Sequence, residues 1–270
     1  MKLFKKSMQV SLLTLMVATI SAPVYAGAQE GDRDRSDGCD GTSDVLFGQD
    51  NDNVDNPKIQ PYGVAANQSL DNADVLFGQG GCDVLVGLLG NDVLDGGAGS
   101  DVLIGGTEQF DPDGFGNKDI MIGGDGNDIN IWAPGDGSDA FLGGAGARDA
   151  QVFGVIDRDQ NNVPILMPAG GRFVETGLPS VEVTGSPGFC RLEAIEDSEL
   201  GFDFLVTFFV RASGNQAVTV RLKDVEQVFC TSEAGGQITY ANLRDEYPSF
   251  VEVSQTEVRR LNSVVDEMIR

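Results

Sequence analysis

The chain has 270 residues, 18 basic against 42 acidic, no histidine and 41% hydrophobic residues, for a formal net charge of −24. Charge of this sign and size repels nucleic acid and anionic lipid. The lack of histidine excludes Ser-His-Asp and Cys-His nucleophile systems and H-E-x-x-H zinc sites, while the apolar fraction suffices for one or two folded domains.

Residues 1–26 read as a signal peptide. Lys2, Lys5 and Lys6 precede an apolar run from Val10 to Ile20, and Val24-Tyr25-Ala26 supplies small residues for a cut before Gly27. No Cys follows the cut and no later segment is long and apolar enough to span a bilayer, so a secreted or periplasmic protein is expected. Residues 27–68 form an acidic lead-in with a degenerate first repeat. Asp44-Val45-Leu46-Phe47-Gly48-Gln49 returns as Asp74-Val75-Leu76-Phe77-Gly78-Gln79, separated from it by a polar insertion from about Asp50 to Asn67. This lead-in is suited to cap the open end of a solenoid.

From Ser69 to Ile131 a nine-residue unit recurs seven times in frame, with starts at Ser69, Gly78, Gly87, Gly96, Gly105, Gly114 and Gly123. Asp holds the sixth place as Asp74, Asp83, Asp92, Asp101, Asp119 and Asp128, with Phe110 in the remaining copy. The eighth is usually large and apolar, as in Leu76, Leu85, Leu94, Leu103 and Met121, with Pro112 and Asn130 as exceptions. Glycines let the chain reverse within about six residues, and the following Val, Ile and Leu favour a short strand. Two units then close one turn of a flattened solenoid with parallel strands roughly 4.8 Å apart and the eighth-place side chains inside. Sixth-place carboxylates from units two apart stack along each edge. Such stacks repel unless a cation intervenes, and carboxylates with turn carbonyls suit Ca²⁺ better than Mg²⁺.

The pattern of Gly96 to Ile104, G-G-x-G-x-D-x-L-x, resembles the hemolysin-type nonapeptide of the RTX (repeats-in-toxin) calcium-binding proteins. That resemblance implies an all-β fold: a parallel β-roll over residues 69–151, with calcium at its stacked turns. The metal positions expected are Asp74, Asp83, Asp92, Asp101, Asp119, Asp128 and, from the unit Pro134 to Leu142, Asp139. An N-terminal leader departs from the C-terminal secretion signal usual in that family. Simple alternation puts Asp74, Asp92, Phe110 and Asp128 on one edge and Asp83, Asp101 and Asp119 on the other. It also puts Val84, Val86, Val102, Ile104, Ile120 and Ile122 on one outer face, an apolar patch expected to be covered by the C-terminal region or a second copy. Arg148 stands where the next Asp belongs, so the array is expected to end near Gln151.

Two further acidic runs invite a calcium reading. They are Asp111-Pro112-Asp113-Gly114, and Asp157-Arg158-Asp159-Gln160-Asn161, for which a polar turn is an equal reading because Pro168 stands where an EF-hand needs Glu. Residues 152–270 read as a β-rich C-terminal domain. Phe202 to Val210 and Val218 to Leu222 alternate about a Ser213-Gly214-Asn215 turn, a hairpin pattern. Shorter strands are expected at Gly171 to Thr176, Val181 to Val183, Cys190 to Ile195 and Ile238 to Ala241. Ser254 to Glu257 can cap a terminal helix.

Four cysteines in an exported chain favour disulfides, with Cys39–Cys82 and Cys190–Cys230 the pairing by region, over zinc. Glu193, Glu196, Asp197, Glu199 and Asp203 form the one carboxylate cluster that could serve a hydrolase; a solvated turn between strands explains it too. The expected function is therefore a non-enzymatic, exported calcium-binding structural or interaction module. The alternative is a calcium-dependent adhesin or matrix component that binds glycan or protein through its C-terminal domain.

Overall fold

The computed structural model describes residues 27–30, 45–47, 74–88, 90–106, 118–160, 163–168, 177–195 and 201–253. Among these, regular structure is all strand, arranged chiefly as two long sheets packed face to face. The first runs Gly27–Glu30, Asp74–Phe77, Val93–Gly99, Ile120–Asp125, Ala140–Ala145, Gln216–Lys223, Phe204–Val210 and Gly188–Ala194. The second runs Val45–Phe47, Val84–Leu88, Val102–Gly106, Ile129–Trp132, Ala150–Phe153, Gln227–Thr231, Ile238–Asn242 and Val251–Glu252. Within the repeats the chain alternates between the sheets, so neighbouring repeat strands are parallel, as a β-roll requires, while the C-terminal strands pair antiparallel with one another.

Eighth-place side chains fill the space between the sheets. Leu76, Leu85, Leu94, Leu103, Met121 and Phe141 are fully buried there. Asn130 occupies an eighth place inside this core, and its Nδ2 donates to Gln151 Oε1 at 2.7 Å, so the polar exception is matched by a polar partner from the next turn. Trp132, Phe153 and Phe208 form an aromatic cluster at the end of the roll, and Trp132 Nε1 donates to the Gly137 carbonyl.

Simple alternation fails at one place. Strand Val93–Gly99 pairs with Ile120–Asp125, and Val102–Gly106 pairs with Ile129–Trp132, so the partners are 27 residues apart instead of 18. The stretch after Gly105 carries nine surplus residues, and the unit expected at Gly105 is merged with its successor. Because the surplus equals one repeat, the frame is kept while the edges exchange. Phe110, Asp111 and Asp113 lie outside the described residues.

The exchange also corrects the outer faces. Ile120 and Ile122 lie on the first sheet, where Ile120 is exposed. Their expected places beside Val84, Val86, Val102 and Ile104 are taken by Ile129 and Ile131, all six of them fully buried. The cover comes from the C-terminal region, as Ile156, Leu178 and Val183 pack on this face, with Phe229 and Ile238 continuing it.

Val152, the expected start of the C-terminal domain, lies within the strand Ala150–Phe153, and both sheets continue past it. Ala140–Ala145 pairs in parallel with Gln216–Lys223, and Ala150–Phe153 with Gln227–Thr231. The hairpin of Phe204–Val210 and Gln216–Lys223 stands as expected, and strands lie at Val181–Glu182, Gly188–Ala194 and Ile238–Asn242. Residues 171–176 and the C-terminal helix segment fall outside the described residues. Cys190 and Cys230 form a disulfide that joins the two sheets. Cys82 is also disulfide-bonded; Cys39, its expected partner, lies outside the described residues.

Candidate metal centre

Each edge of the roll carries a ladder of Asp side chains. On one edge the Asp74 amide donates to Asp92 Oδ1 at 2.7 Å, Asp92 to Asp119 Oδ1 at 2.8 Å and Asp119 to Asp139 Oδ1 at 3.0 Å. On the other, Asp83 donates to Asp101 Oδ1, Asp101 to Asp128 Oδ1 and Asp128 to Asp149 Oδ1, at 2.8, 2.8 and 2.9 Å. All seven Asp positions expected from the repeats stand in these ladders, each at most 3% exposed. Two details differ from expectation. Asp119 stands with Asp92 and not with Asp101, and Asp128 with Asp101, because of the surplus residues after Gly105.

The second correction concerns the end of the array. Arg148 does not take the sixth place; one extra residue moves it into solvent and brings Asp149, fully buried, onto the ladder. Strict nine-residue counting misses Asp149. The sequence signal is the Asp immediately after Arg148, followed by the apolar Val152 and Phe153.

One oxygen of Asp92, Asp101, Asp119, Asp128, Asp139 and Asp149 is thus spent on an amide of the neighbouring turn. Where the unit starts with glycine, the other oxygen lies against it: a Cβ added at Gly96 would stand 2.4 Å from Asp101 Oδ2, and one at Gly123 2.4 Å from Asp128 Oδ2. Glycine is required there because the carboxylate occupies the side-chain position. The Oδ2 atoms of Asp101, Asp128, Asp139 and Asp149 are buried without a hydrogen-bond donor. Burial, then the neighbouring carboxylates, push Asp101 well above the usual carboxylate range. Burial likewise pushes Asp128 up to about 8, and Asp139 and Asp149 up to about 7. Such oxygens need a proton or a cation.

Carboxylate density peaks where Asp119, Asp136 and Asp139 bring one oxygen each within 4.8 Å of one another, all three buried. Asp136 comes from the third place of the unit Pro134 to Leu142, in a tight turn in which its Oδ1 accepts the Gly137 amide. Scanning only the sixth place overlooks it. Three hard carboxylate oxygens so placed fit a Ca²⁺-sized ion.

The other acidic groups stand elsewhere. Asp159 Oδ1 accepts the Val163 amide, and the Asp159 amide donates back to the Val163 carbonyl, a polar turn. Glu193 is exposed on the strand Gly188–Ala194, and Asp203 Oδ2 accepts the Asp224 amide. Glu196, Asp197 and Glu199 lie outside the described residues.

Residues 77–108 match the RTX calcium-binding nonapeptide repeat, in four copies. No curated protein and no solved structure matches the chain. The chain therefore carries RTX calcium-binding repeats in a parallel β-roll, and no described helix is long and apolar enough to cross a membrane.

Proposed function

We propose that this chain is an exported calcium-binding protein whose roll is completed by Ca²⁺ at its Asp ladders, and that it works as a structural or interaction module rather than as a catalyst. The observation that carries this reading is the set of buried carboxylate oxygens at Asp101, Asp128, Asp139 and Asp149 that meet no donor. Ionised and alone, each would cost several kcal/mol to bury; beside a hard cation each becomes a ligand. Asp74, Asp83, Asp92, Asp101, Asp119, Asp128 and Asp139 would hold the ions, with Asp136 and Asp149 added from the geometry. The ion supplies charge neutralisation between successive turns, and the chain supplies carboxylates pre-aligned by the amide ladder.

Export rests on the leader pattern of residues 1–26, and it places the protein where calcium is plentiful enough to drive folding. The non-catalytic role rests on the missing histidine and on the dispersal of the described carboxylates outside the ladders. Calorimetric titration of the chain lacking residues 1–26 tests the proposal. Ca²⁺ binding at several sites, with Mg²⁺ much weaker and circular dichroism showing loss of strand in chelator, is the expected result. Failure to bind Ca²⁺ at millimolar concentration would overturn it.

A further inference from the structure

The two ladders end differently where they meet the C-terminal strands. The edge that ends at Asp139 stops on backbone: the Asp139 amide donates to the Thr219 carbonyl at 3.1 Å, and Thr219 returns its amide to Ser138 Oγ at 3.1 Å. The other edge gains one more carboxylate rung from outside the repeats. Asp149 donates its amide to Glu226 Oε2 at 2.9 Å, the geometry that every Asp below it makes with the Asp above. The Asp224 carbonyl stands over Gly143, as the Gly143 carbonyl stands over Gly123. Residues 224–226 thus imitate a repeat turn without its sequence.

At this last rung the chain provides its own cation. Arg244 Nη2 lies 2.9 Å from Glu226 Oε1 and 3.4 Å from the carbonyl of Gly146, the fourth-place glycine of the last unit. A carboxylate oxygen and a turn carbonyl are the same two ligand types that the repeats offer to a metal. The turn that carries Arg244 is tied down, its amide donating to Asn242 Oδ1 while Asn242 Nδ2 donates to Asp245 Oδ1.

We propose that Arg244 is a resident counter-cation that replaces the metal at the C-terminal end of the Asp83 to Glu226 ladder, so that this end of the roll is held without calcium and serves as the template on which the calcium-dependent turns stack. The proposal rests on the calcium reading for the lower turns, but its test is made without metal and so can fail separately. A preformed end also has kinetic value, since only the first turn of a stacked array bears the full ordering cost.

Hydrogen exchange of the chain lacking residues 1–26, followed by mass spectrometry in chelator, reads the cap directly. In the unsubstituted chain, peptides spanning 143–153 and 224–231 should remain protected while those spanning 78–106 exchange freely. Arg244→Gln should remove that protection at least tenfold, and added Ca²⁺ should restore it less completely than in the parent. Equal protection in parent and Arg244→Gln, or free exchange of both C-terminal peptides in the parent, would overturn the proposal. If Arg244→Gln fails to fold even with Ca²⁺, Arg244→Lys decides. Retained protection supports a counter-ion role, and protection lost as in the unfolded chain refutes it.

Discussion

Two kinds of residue bear the cost of this architecture, the stacked Asp and the glycines that make room for them. Gly99 has φ +140°, and a Cβ there would stand 1.4 Å from the Gly81 carbonyl one turn below. Gly99→Ala should therefore cost about 3 kcal/mol or more, the upper range for backbone strain, whereas Gly214→Ala, at φ +69° with nothing within 4 Å, should cost about 1 kcal/mol. Urea unfolding of the two variants checks the difference. The Asp residues set a pH response. In the folded, metal-free chain Asp128 titrates at about 8 and Asp139 and Asp149 at about 7, above the unfolded carboxylate near 4. The folded state thus binds more protons than the unfolded state between these values. The resulting stabilisation is complete below about pH 4 and is lost as pH rises through 7 to 8. In chelator the unfolding midpoint should fall between pH 5 and pH 8. With Ca²⁺ bound the fall should shrink or reverse, because the ions hold these groups ionised. A metal-free midpoint independent of pH would contradict the ladder electrostatics.

At the scale of the element, the repeat tolerates additions in its turns and not in its strands. The two extra residues between Asn130 and Asp139, the one before Asp149, and the nine after Gly105 all fall between the core-facing residue of one strand and the next ladder Asp. The amide-to-carboxylate rungs across them are kept: Asp92 to Asp119 and Asp101 to Asp128 at 2.8 Å, Asp119 to Asp139 at 3.0 Å and Asp128 to Asp149 at 2.9 Å. Loop length itself costs little, about 0.6 kcal/mol per doubling. Replacing residues 107–118 by Ala-Gly-Asn, which restores a nine-residue unit between Gly105 and Asp119, should therefore preserve the strand content and calcium stoichiometry. The melting temperature should stay the same or rise. Loss of a calcium equivalent on this replacement, read by calorimetry, would show that the surplus segment contributes ligands of its own.

For the whole molecule, the decisive feature is that the two sheets of the roll continue into the C-terminal strands, while the second-sheet face is buried under the segments that carry Ile156, Leu178 and Val183. Ile104 is fully enclosed there. With Ca²⁺ bound, Ile104→Asp should destabilise the protein by several kcal/mol and should lower one shared unfolding transition of the repeats and the C-terminal strands. Two separated transitions, with only one of them shifted, would mean that the halves fold independently. Within the C-terminal strands, the disulfide Cys190–Cys230 ties one sheet to the other. It closes a loop of sequence separation 40 across both sheets, a constraint of about 4 kcal/mol on the unfolded chain.

Periodicity alone determined the roll, its strand positions and the identity of seven ladder Asp residues, because a nine-residue unit with Gly, Asp and Leu in phase has few other ways to satisfy its turns and bury its Leu. It also made the Phe204–Val210 hairpin and the Cys190–Cys230 pair legible, since alternation and spacing are local signals. What it left undecided were the quantities that depend on which turn lies above which. A nine-residue surplus keeps the sequence in frame, so only the stacked backbone shows that Asp119 belongs with Asp92 and that Ile129 and Ile131 replace Ile120 and Ile122 on the covered face. The same holds for Asp136, Asp149, Glu226 and Arg244. Their places at the ladders arise from contacts across 17 to 98 residues, and such contacts leave no period in the chain.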